Sequence, residues 1–310
     1  VMGRARIDGR PVAVAGDDFT VRGGANDAAI RQKLVNVEMM AHDLRLPLVR
    51  LVDGTGGGGS VKNIEIQGRS ILPNLPFWKV CVDNLSQVPV VSLALGSVAG
   101  LGSARVVASH YSVIVKDTAQ MFVAGPPVVA RIGEHLGKNE LGGSDIHARN
   151  GAVDDEVDSE DAAFACARRF LSYLPSNANE APPVAPVPAG SGDGMSDILG
   201  ILPESRTQVY DMRKLLRCIV DRDSFFELKA RFGKAGVTAL ARLGGRTVGL
   251  VANNPLFKAG AMDADACDKI TSFLVLCDSY NIPILMFVDT PGFSIGLEAE
   301  RKRAPGKIMN

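Results

Sequence analysis

An ungapped internal repeat constrains this chain more than any other feature. Shifting residues 3–56 by 236 positions onto 239–292 places Arg6 on Arg242, Gly9-Arg10 on Gly245-Arg246 and Val12 on Val248. The register continues: Gly24-Ala25 meets Gly260-Ala261, Asp27-Ala28 meets Asp263-Ala264, Lys33 meets Lys269, Pro47 meets Pro283, and Val52-Asp53 meets Val288-Asp289. One supersecondary unit is therefore used twice, and a site built by the first copy should have a counterpart in the second.

Each copy reads as strand, long loop, helix, strand. Pro11 to Ala15 and Thr247 to Ala252 are short β-branched runs, while Asn26 to Leu44 and Asp263 to Tyr280 carry apolar residues at helical spacing. Pro47 and Pro283 stop those helices ahead of Leu48 to Val52 and Ile284 to Val288, which read as buried parallel strands. After the first copy the pattern predicts a helix near Asn74 to Leu85, a strand at Val88 to Leu95, a small-residue helix at Ala99 to Ser109, a strand at Tyr111 to Lys116 and a helix at Ser159 to Leu174. Pro175 to Pro203 is rich in Pro, Ala, Gly and Ser and reads as an exposed linker. The division expected is a domain over 1–174, a linker over 175–203 and a domain over 204–310, with Asp211 to Val220 as lead-in helix of the last. At 310 residues, 46% of them apolar, there is material for two domains of this size.

Charge and cysteine usage exclude several function classes. Lys plus Arg and Asp plus Glu both number 34, so no net field attracts nucleic acid or an acidic membrane, and aromatics are too sparse for a base-stacking platform. The five cysteines show no CxxC pair, which removes a zinc ribbon and points to reduced thiols in an intracellular compartment. The longest mostly apolar stretch, Val88 to Leu101, is too short to span a bilayer and is broken by Pro89. Neither a signal nor a transit peptide can be read at Val1.

Two glycine-rich turns follow buried strands in the first copy, Gly54-Thr55-Gly56-Gly57-Gly58-Gly59-Ser60 and Gly96-Ser97-Val98-Ala99-Gly100-Leu101-Gly102. Glycines let backbone approach a ligand, and a helix starting at such a turn aims free N–H groups into the crevice. Two such turns side by side can make an oxyanion hole from backbone amides alone, Gly57 and Gly58 lying in the first turn and Gly100 and Leu101 in the second. A rival reading of Gly54, Gly56 and Gly59 as a dinucleotide fingerprint is weak, because Thr290-Pro291-Gly292-Phe293 in the second copy lacks it. No GK[ST], G-x-S-x-G or HExxH occurs, so P-loop, elbow-hydrolase and zincin readings fail. Among His42, His110, His135 and His147, the last is the best candidate base, since glycine turns surround it. Lys33 and Lys269 read as solvated or packing lysines, and the Asp53 and Asp289 pair as fixing the loops that follow.

Four segments together resemble the carboxyltransferase (β) subunits of biotin-dependent acyl-CoA carboxylases, of the propionyl-CoA carboxylase type. They are Asp18-Phe19-Thr20-Val21-Arg22-Gly23-Gly24-Ala25; Val115-Lys116-Asp117-Thr118 with Phe122-Val123-Ala124-Gly125-Pro126-Pro127; Glu140-Leu141-Gly142-Gly143 with His147 and Gly151; and Phe287-Val288-Asp289-Thr290-Pro291-Gly292-Phe293. The resemblance implies an α/β fold of two tandem crotonase-like (ClpP/crotonase) ββα superhelix domains, the second truncated. It implies transfer of carboxylate from carboxybiotin to the α-carbon of a short-chain acyl-CoA such as propionyl-CoA or acetyl-CoA, with backbone amides stabilising the thioester enolate and the family's first oxyanion hole falling by position on Gly100 and Leu101. The CoA ester would lie on the N-terminal domain near Gly56 and Gly102, biotin on the C-terminal domain near Gly292 and Phe293, with sites formed between domains of different subunits.

Biotin would be carried by a partner, no metal would be needed, and the implied partners are a biotin carboxylase and biotin carboxyl carrier subunit. A homo-oligomer is implied, a hexamer built from dimers, in the cytoplasm or, in a eukaryote, the mitochondrial matrix. A decarboxylase or transcarboxylase subunit of the same fold and a non-catalytic scaffold are the alternatives. Where the family usually has Gly-Gly-Ala, this chain has Gly100-Leu101-Gly102, so Leu101 keeps its amide but adds a side chain beside the ligand. The Gly100 loop lies 47 residues after Asp53, which puts the counterpart after Asp289 near position 336, past Asn310, as expected of an internal fragment.

Overall fold

Both copies begin with the same hairpin. The computed structural model describes residues 1–25, 28–54, 65, 66, 68, 75–205 and 207–309. In the first copy β1 (Met2–Ile7) pairs antiparallel with β2 (Arg10–Gly16) across Asp8-Gly9, both at positive φ, 49° and 81°. That is the signature of a two-residue turn whose twist matches the strands. The second copy repeats it with Gly244-Gly245 at φ 59° and 78°, which explains why Gly9-Arg10 and Gly245-Arg246 coincide.

The remaining elements follow in chain order. In the first unit these are α1 (Ala28–Leu44), β3 (Leu48–Val52), α2 (Leu75–Gln87), β4 (Val90–Ala94), β5 (Ser97–Ala99), α3 (Leu101–Val107), β6 (Tyr111–Val115), β7 (Gln120–Phe122), α4 (Pro126–Val129), α5 (Lys138–Gly142), α6 (Ser144–Arg149), β8 (Asp155–Val157) and α7 (Glu160–Tyr173). Then come α8 (Ile198–Ile201), α9 (Met212–Ile219), β9 (Phe226–Leu228), β10 (Gly236–Leu243), β11 (Arg246–Asn253), α10 (Ala264–Ser279), β12 (Ile284–Phe287), α11 (Leu297–Arg301) and α12 (Ala304–Lys307). The three-residue strands β5 and β7 carry no sequence periodicity and had no counterpart in the sequence reading.

Two units separate: Val1–Leu171 with Ser176–Asn179, and Ser172–Pro175 with Glu180–Asn310. The Pro-rich stretch expected as an exposed linker over 175–203 divides, residues 176–179 grouping with the first unit and those from 180 onward with the second. Its Ala185 N–H donates to the Gly245 carbonyl at 2.9 Å, and a Cβ at Gly245 would overlap the Ala185 carbonyl. Pro-rich backbone needs few internal partners and can lie along a turn in this way.

In the first unit the described strands form a sheet of order β1-β2-β3-β4-β6-β8, parallel from β2 onward. Ala13, Leu48 and Val90 are register partners on one face and pack on Leu34, Val37 and Ala41 of α1 and Cys81 of α2. The opposite face carries Tyr111, whose ring stacks on Phe170 of α7 with centroids 4.8 Å apart. The second unit has the order β12-β11-β10-β9, with β11 and β12 parallel and β12 at the edge. One face packs on Met212, Leu216 and Val220 around α9; on the other, Gly249 lets Phe273 and Cys277 of α10 sit directly on the strand.

The retained residues prove to be backbone devices. Ala13 and Gly249, equivalent positions, each donate an N–H to the carbonyl of the retained proline, Pro47 or Pro283, at 2.8 Å. Both long helices end on a left-handed residue, Arg45 (φ 52°) or Asn281 (φ 57°), followed by an amide returning to Ala41 or Cys277. Gly24 (φ 67°) and Gly260 (φ 80°) bring their α-carbons against the carbonyl oxygens of Asp53 and Asp289. Lys269 is buried, its ammonium donating to the Phe232 and Gly236 carbonyls at 3.2 and 3.0 Å, whereas Lys33 is exposed.

Candidate active site

The first unit gathers its glycine turns at the carboxyl ends of β2, β3 and β4. Gly24 and Gly54 touch α-carbon to α-carbon closely enough that a Cβ on Gly54 would lie 2.6 Å from Gly24 Cα. Gly96 lies under the Asp53 carboxylate, which leaves no room there for a side chain. Burial, then the neighbouring Asp17, push the Asp53 carboxyl above the usual range. The Asp53 carboxylate is thus held against the turn after β4; the loop that directly follows Asp53 lies outside the described residues beyond Gly54.

The second turn is built by β5 and β7. Their parallel pairing carries the chain to Gly100 at φ 56° and ψ −116°, a conformation open to glycine, and α3 starts at the next residue. The Phe122 carbonyl at the end of β7 accepts from Gly100 N–H at 2.9 Å and from Ser103 Oγ at 2.8 Å. The Gly100 amide, expected as an oxyanion donor, is therefore already engaged. Leu101 N–H, the first of the helix, has no acceptor among the described residues, while Ala104 N–H already returns to the Gly100 carbonyl at 3.1 Å. Gly102, expected beside CoA, is buried, and a Cβ there would lie 2.5 Å from the Gly54 carbonyl oxygen and 2.8 Å from Val98 Cγ1. Its glycine is required by packing. Gly56, Gly57 and Gly58 lie outside the described residues.

The helix carrying Leu101 rests on a buried polar network that sequence reading missed. Arg50, fully buried on β3, donates from Nε and Nη2 to both oxygens of Glu38 on α1 at 2.8 and 2.9 Å. Its Nη1 donates to the carbonyls of Arg105 and Ala108, at 3.1 and 2.6 Å, where α3 ends. Asn84 Nδ2 donates to Glu38, Ser92 Oγ donates to the Arg105 carbonyl, and Arg105 Nη1 donates to Asp17 at 3.0 and 3.1 Å. Burial alone would raise the Glu38 carboxyl, but Arg50 and Asn84 outweigh it and hold it below the usual range. Cys81 nearby is pushed up to about 12 by burial and by Glu38. The signal was a charge inside the apolar run Leu48-Val49-Arg50-Leu51-Val52.

The histidines divide into structural and exposed. His147 donates from Nε2 to the Met121 carbonyl at 2.8 Å, fastening α6 to β7, and its Nδ1 is buried without a partner among the described residues. His135 is exposed. His110 accepts at Nδ1 from Val90 N–H at 3.0 Å and donates from Nε2 to the Leu85 carbonyl at 2.8 Å, a pattern only the neutral ring satisfies. Burial lowers its pKa to about 4. Below the ordinary value near 6.5 the unfolded chain takes up a proton that the folded ring refuses, so this stability is present above pH 6.5 and is lost as pH falls towards 4. Denaturation at pH 7 and pH 4.5 should show about 2–3 kcal/mol lost through this ring; His110→Asn should flatten that difference, and an unchanged pH dependence would contradict the assignment.

In the second unit the turn after β12 is tied down differently. Thr290 Oγ1 accepts from Gly292 N–H at 3.0 Å and lies 2.8 Å from the Gly260 carbonyl. Met262 N–H donates to the Gly292 carbonyl and Ser294 N–H to the Met262 carbonyl, at 3.0 and 2.8 Å, bracketing Phe293. The Gly292 amide is thus engaged, leaving Phe293, whose side chain is 39% exposed. Phe293 borders a hollow of about 220 Å³ walled by Val251, Cys267, Leu274 and Met286. Tyr210 Oη donates to Asp289 at 2.7 Å at the start of this turn. No group of three metal-ligating side chains occurs among the described residues, and no helix among them is long and apolar enough to cross a membrane.

Known proteins are similar to this chain in sequence and fold. The family model described as "Carboxyl transferase domain" matches residues 1–303. The biotin-dependent long chain acyl-coenzyme A carboxylase beta4 subunit of Mycobacterium tuberculosis is 35% identical over 97% of this chain and 57% of its own length. The propionyl-CoA carboxylase beta chain of Saccharopolyspora erythraea is 34% identical over 97% of this chain and 56% of its own. The solved transcarboxylase 12S hexamer with hydrolysed methylmalonyl-coenzyme A bound superposes with a TM-score of 0.88 at 31% identity, covering all of this chain and 61% of that one. The chain spans little more than half the length of the curated relatives it matches. With the family model covering nearly every residue and the α/β architecture shared throughout, the chain belongs to the carboxyl transferase domain family.

Proposed function

We propose that this chain forms part of a carboxyltransferase of a biotin-dependent acyl-CoA carboxylase, acting on a short-chain acyl-CoA such as propionyl-CoA or acetyl-CoA. Its two copies are read as tandem crotonase-like halves, the first for the thioester and the second for biotin. The observation that carries the reading is the Leu101 amide, unengaged among the described residues, at the head of a helix wedged between glycine turns. As the α-carbon of a thioester loses its proton, charge grows on the thioester oxygen, and a pre-placed amide donor stabilises that charge more than the ground state. A new carbon–carbon bond would then form between the α-carbon and the carboxyl carbon as the bond from that carbon to the biotin nitrogen breaks, and the α-proton would pass to the biotin left behind. No side-chain nucleophile is needed, in keeping with the structural roles of His110 and His147.

The second-copy hollow has the chemistry to take biotin: apolar walls, an exposed Phe293 ring and the Thr290 hydroxyl at its rim. When bound, biotin on a carrier partner supplies the activated carboxyl group. A biotin carboxylase and carrier subunit are the partners this requires, and a homo-oligomer in the cytoplasm is the assembly proposed. A transcarboxylase is the second reading, favoured by the TM-score of 0.88 to transcarboxylase 12S.

The full-length protein should transfer carboxylate from free carboxybiotin to propionyl-CoA or acetyl-CoA. No transfer to any short-chain ester would sink the proposal. Leu101→Pro gives a sharper version, because proline is tolerated at the first helical position yet lacks the N–H. It should fold and lose about 10²–10³ in kcat; a fully active Leu101→Pro enzyme would remove this amide from the mechanism.

A further inference from the structure

The two copies differ at one buried pair whose partners the 236-residue offset identifies. Glu38 and Arg50 of the first correspond to Leu274 and Met286 of the second. In the first unit they are a fully buried, bidentate ion pair. In the second they are two aliphatic side chains that border one hollow. One scaffold therefore accommodates either a buried salt bridge or two aliphatic side chains at this place.

A buried ion pair is weak evidence for stability, since well-packed apolar residues of similar volume often serve as well or better. What the aliphatic pair cannot do is hydrogen-bond to a helix end. Helix α3 has seven residues, one of them Gly102, and would not persist alone. Arg50 Nη1 holds its last carbonyls, at Arg105 and Ala108, where a cation also suits the helix dipole. The opposite end of the same short helix, about 10 Å away, carries Leu101 N–H. A tilt at the clamped end moves that amide.

We infer that Glu38 and Arg50 are positioning residues, an ion pair kept in the first copy because it fixes where α3 presents the Leu101 amide. This rests on the carboxyltransferase reading for its kinetic consequence only; the effect on the helix stands apart from it.

The test is the double exchange Glu38→Leu/Arg50→Met in the full-length protein, which installs the residues of the second copy. It should fold with a denaturation midpoint near wild type and above that of Arg50→Met alone. Amide exchange over 101–107 should rise about tenfold or more, and kcat for carboxyl transfer should fall by a similar factor with KM for the acyl-CoA changed less than about threefold. A folded double variant with wild-type exchange and wild-type kcat overturns the inference. Should the double variant fail to fold, Arg50→Lys decides: a lysine opposite Glu38 cannot also serve both carbonyls, so faster exchange over 101–107 supports the inference and unchanged exchange overturns it. If wild-type protein transfers no carboxylate, the functional reading fails, while the exchange measurements still decide the positioning role.

Discussion

Arg50→Met on its own should destabilise the first unit by about 3–5 kcal/mol, the cost of leaving a buried charge unpaired. Glu38 is 2% exposed, and its carboxylate would lose both guanidinium hydrogen bonds while keeping that of the Asn84 amide. The Ala108 carbonyl at the end of α3 would also lose its guanidinium donor, and the Arg105 carbonyl would keep only Ser92 Oγ of its two side-chain donors. Trp78, the sole tryptophan, packs against the core formed by α1 and α2 and should report the loss as a lower midpoint in denaturant fluorescence. Adding Glu38→Leu should restore most of the stability, because it removes the stranded charge. A single variant as stable as wild type would mean that Glu38 takes up a proton or reaches water at little cost.

Gly24→Ala and Gly260→Ala should each cost about 3 kcal/mol, in different units, for one shared reason. Both glycines hold positive φ, which an L side chain pays about 1–2 kcal/mol to adopt. Both also place the new methyl into a backbone carbonyl, Asp53 in the first copy and, at 2.6 Å, Asp289 in the second. Backbone cannot swing aside as a flexible side chain would, so overpacking adds a further 1–3 kcal/mol. Thermal melts by circular dichroism would test the pair. A loss below about 0.5 kcal/mol at either position would show that the turn relaxes, and would break the equivalence of the two copies there.

Those glycines also show what was legible in the sequence. Residues fixed by backbone geometry, Gly9, Gly24, Pro47 and their copies, stand out because geometry admits few substitutes at a turn, a tight approach or a helix stop. The long helices and the strands β2, β3, β4, β6, β11 and β12 followed from periodicity to within a residue or two, whereas β1 and β10, the first strands of the two hairpins, did not. Beyond those, the site was read only in part. Gly100 and Gly102 looked like ligand-facing glycines, yet one amide is taken by Phe122 and the other residue is packed on Gly54. Sequence shows that backbone comes close to something at these points, and does not show whether that is a ligand or another stretch of chain. The clamp on α3 was hidden because it joins α1, β3, α2 and β4, and no local pattern links residues 38, 50, 84 and 92.

The strand order of the first unit carries a consequence for time as well as for shape. Only β1 and β2 are joined by a two-residue turn; Leu48 finds Val90, and Val113 finds Asp155, each 42 residues along the chain. Sheets assembled from such distant partners form slowly, since each pairing must close a long loop before any contact rewards it. Arg50 can grip the end of α3 only after β3, β4 and α1 have met. The amide at Leu101 is thus among the last parts of the unit to be set, and a chain caught partway through folding would have its sheet before it had its site.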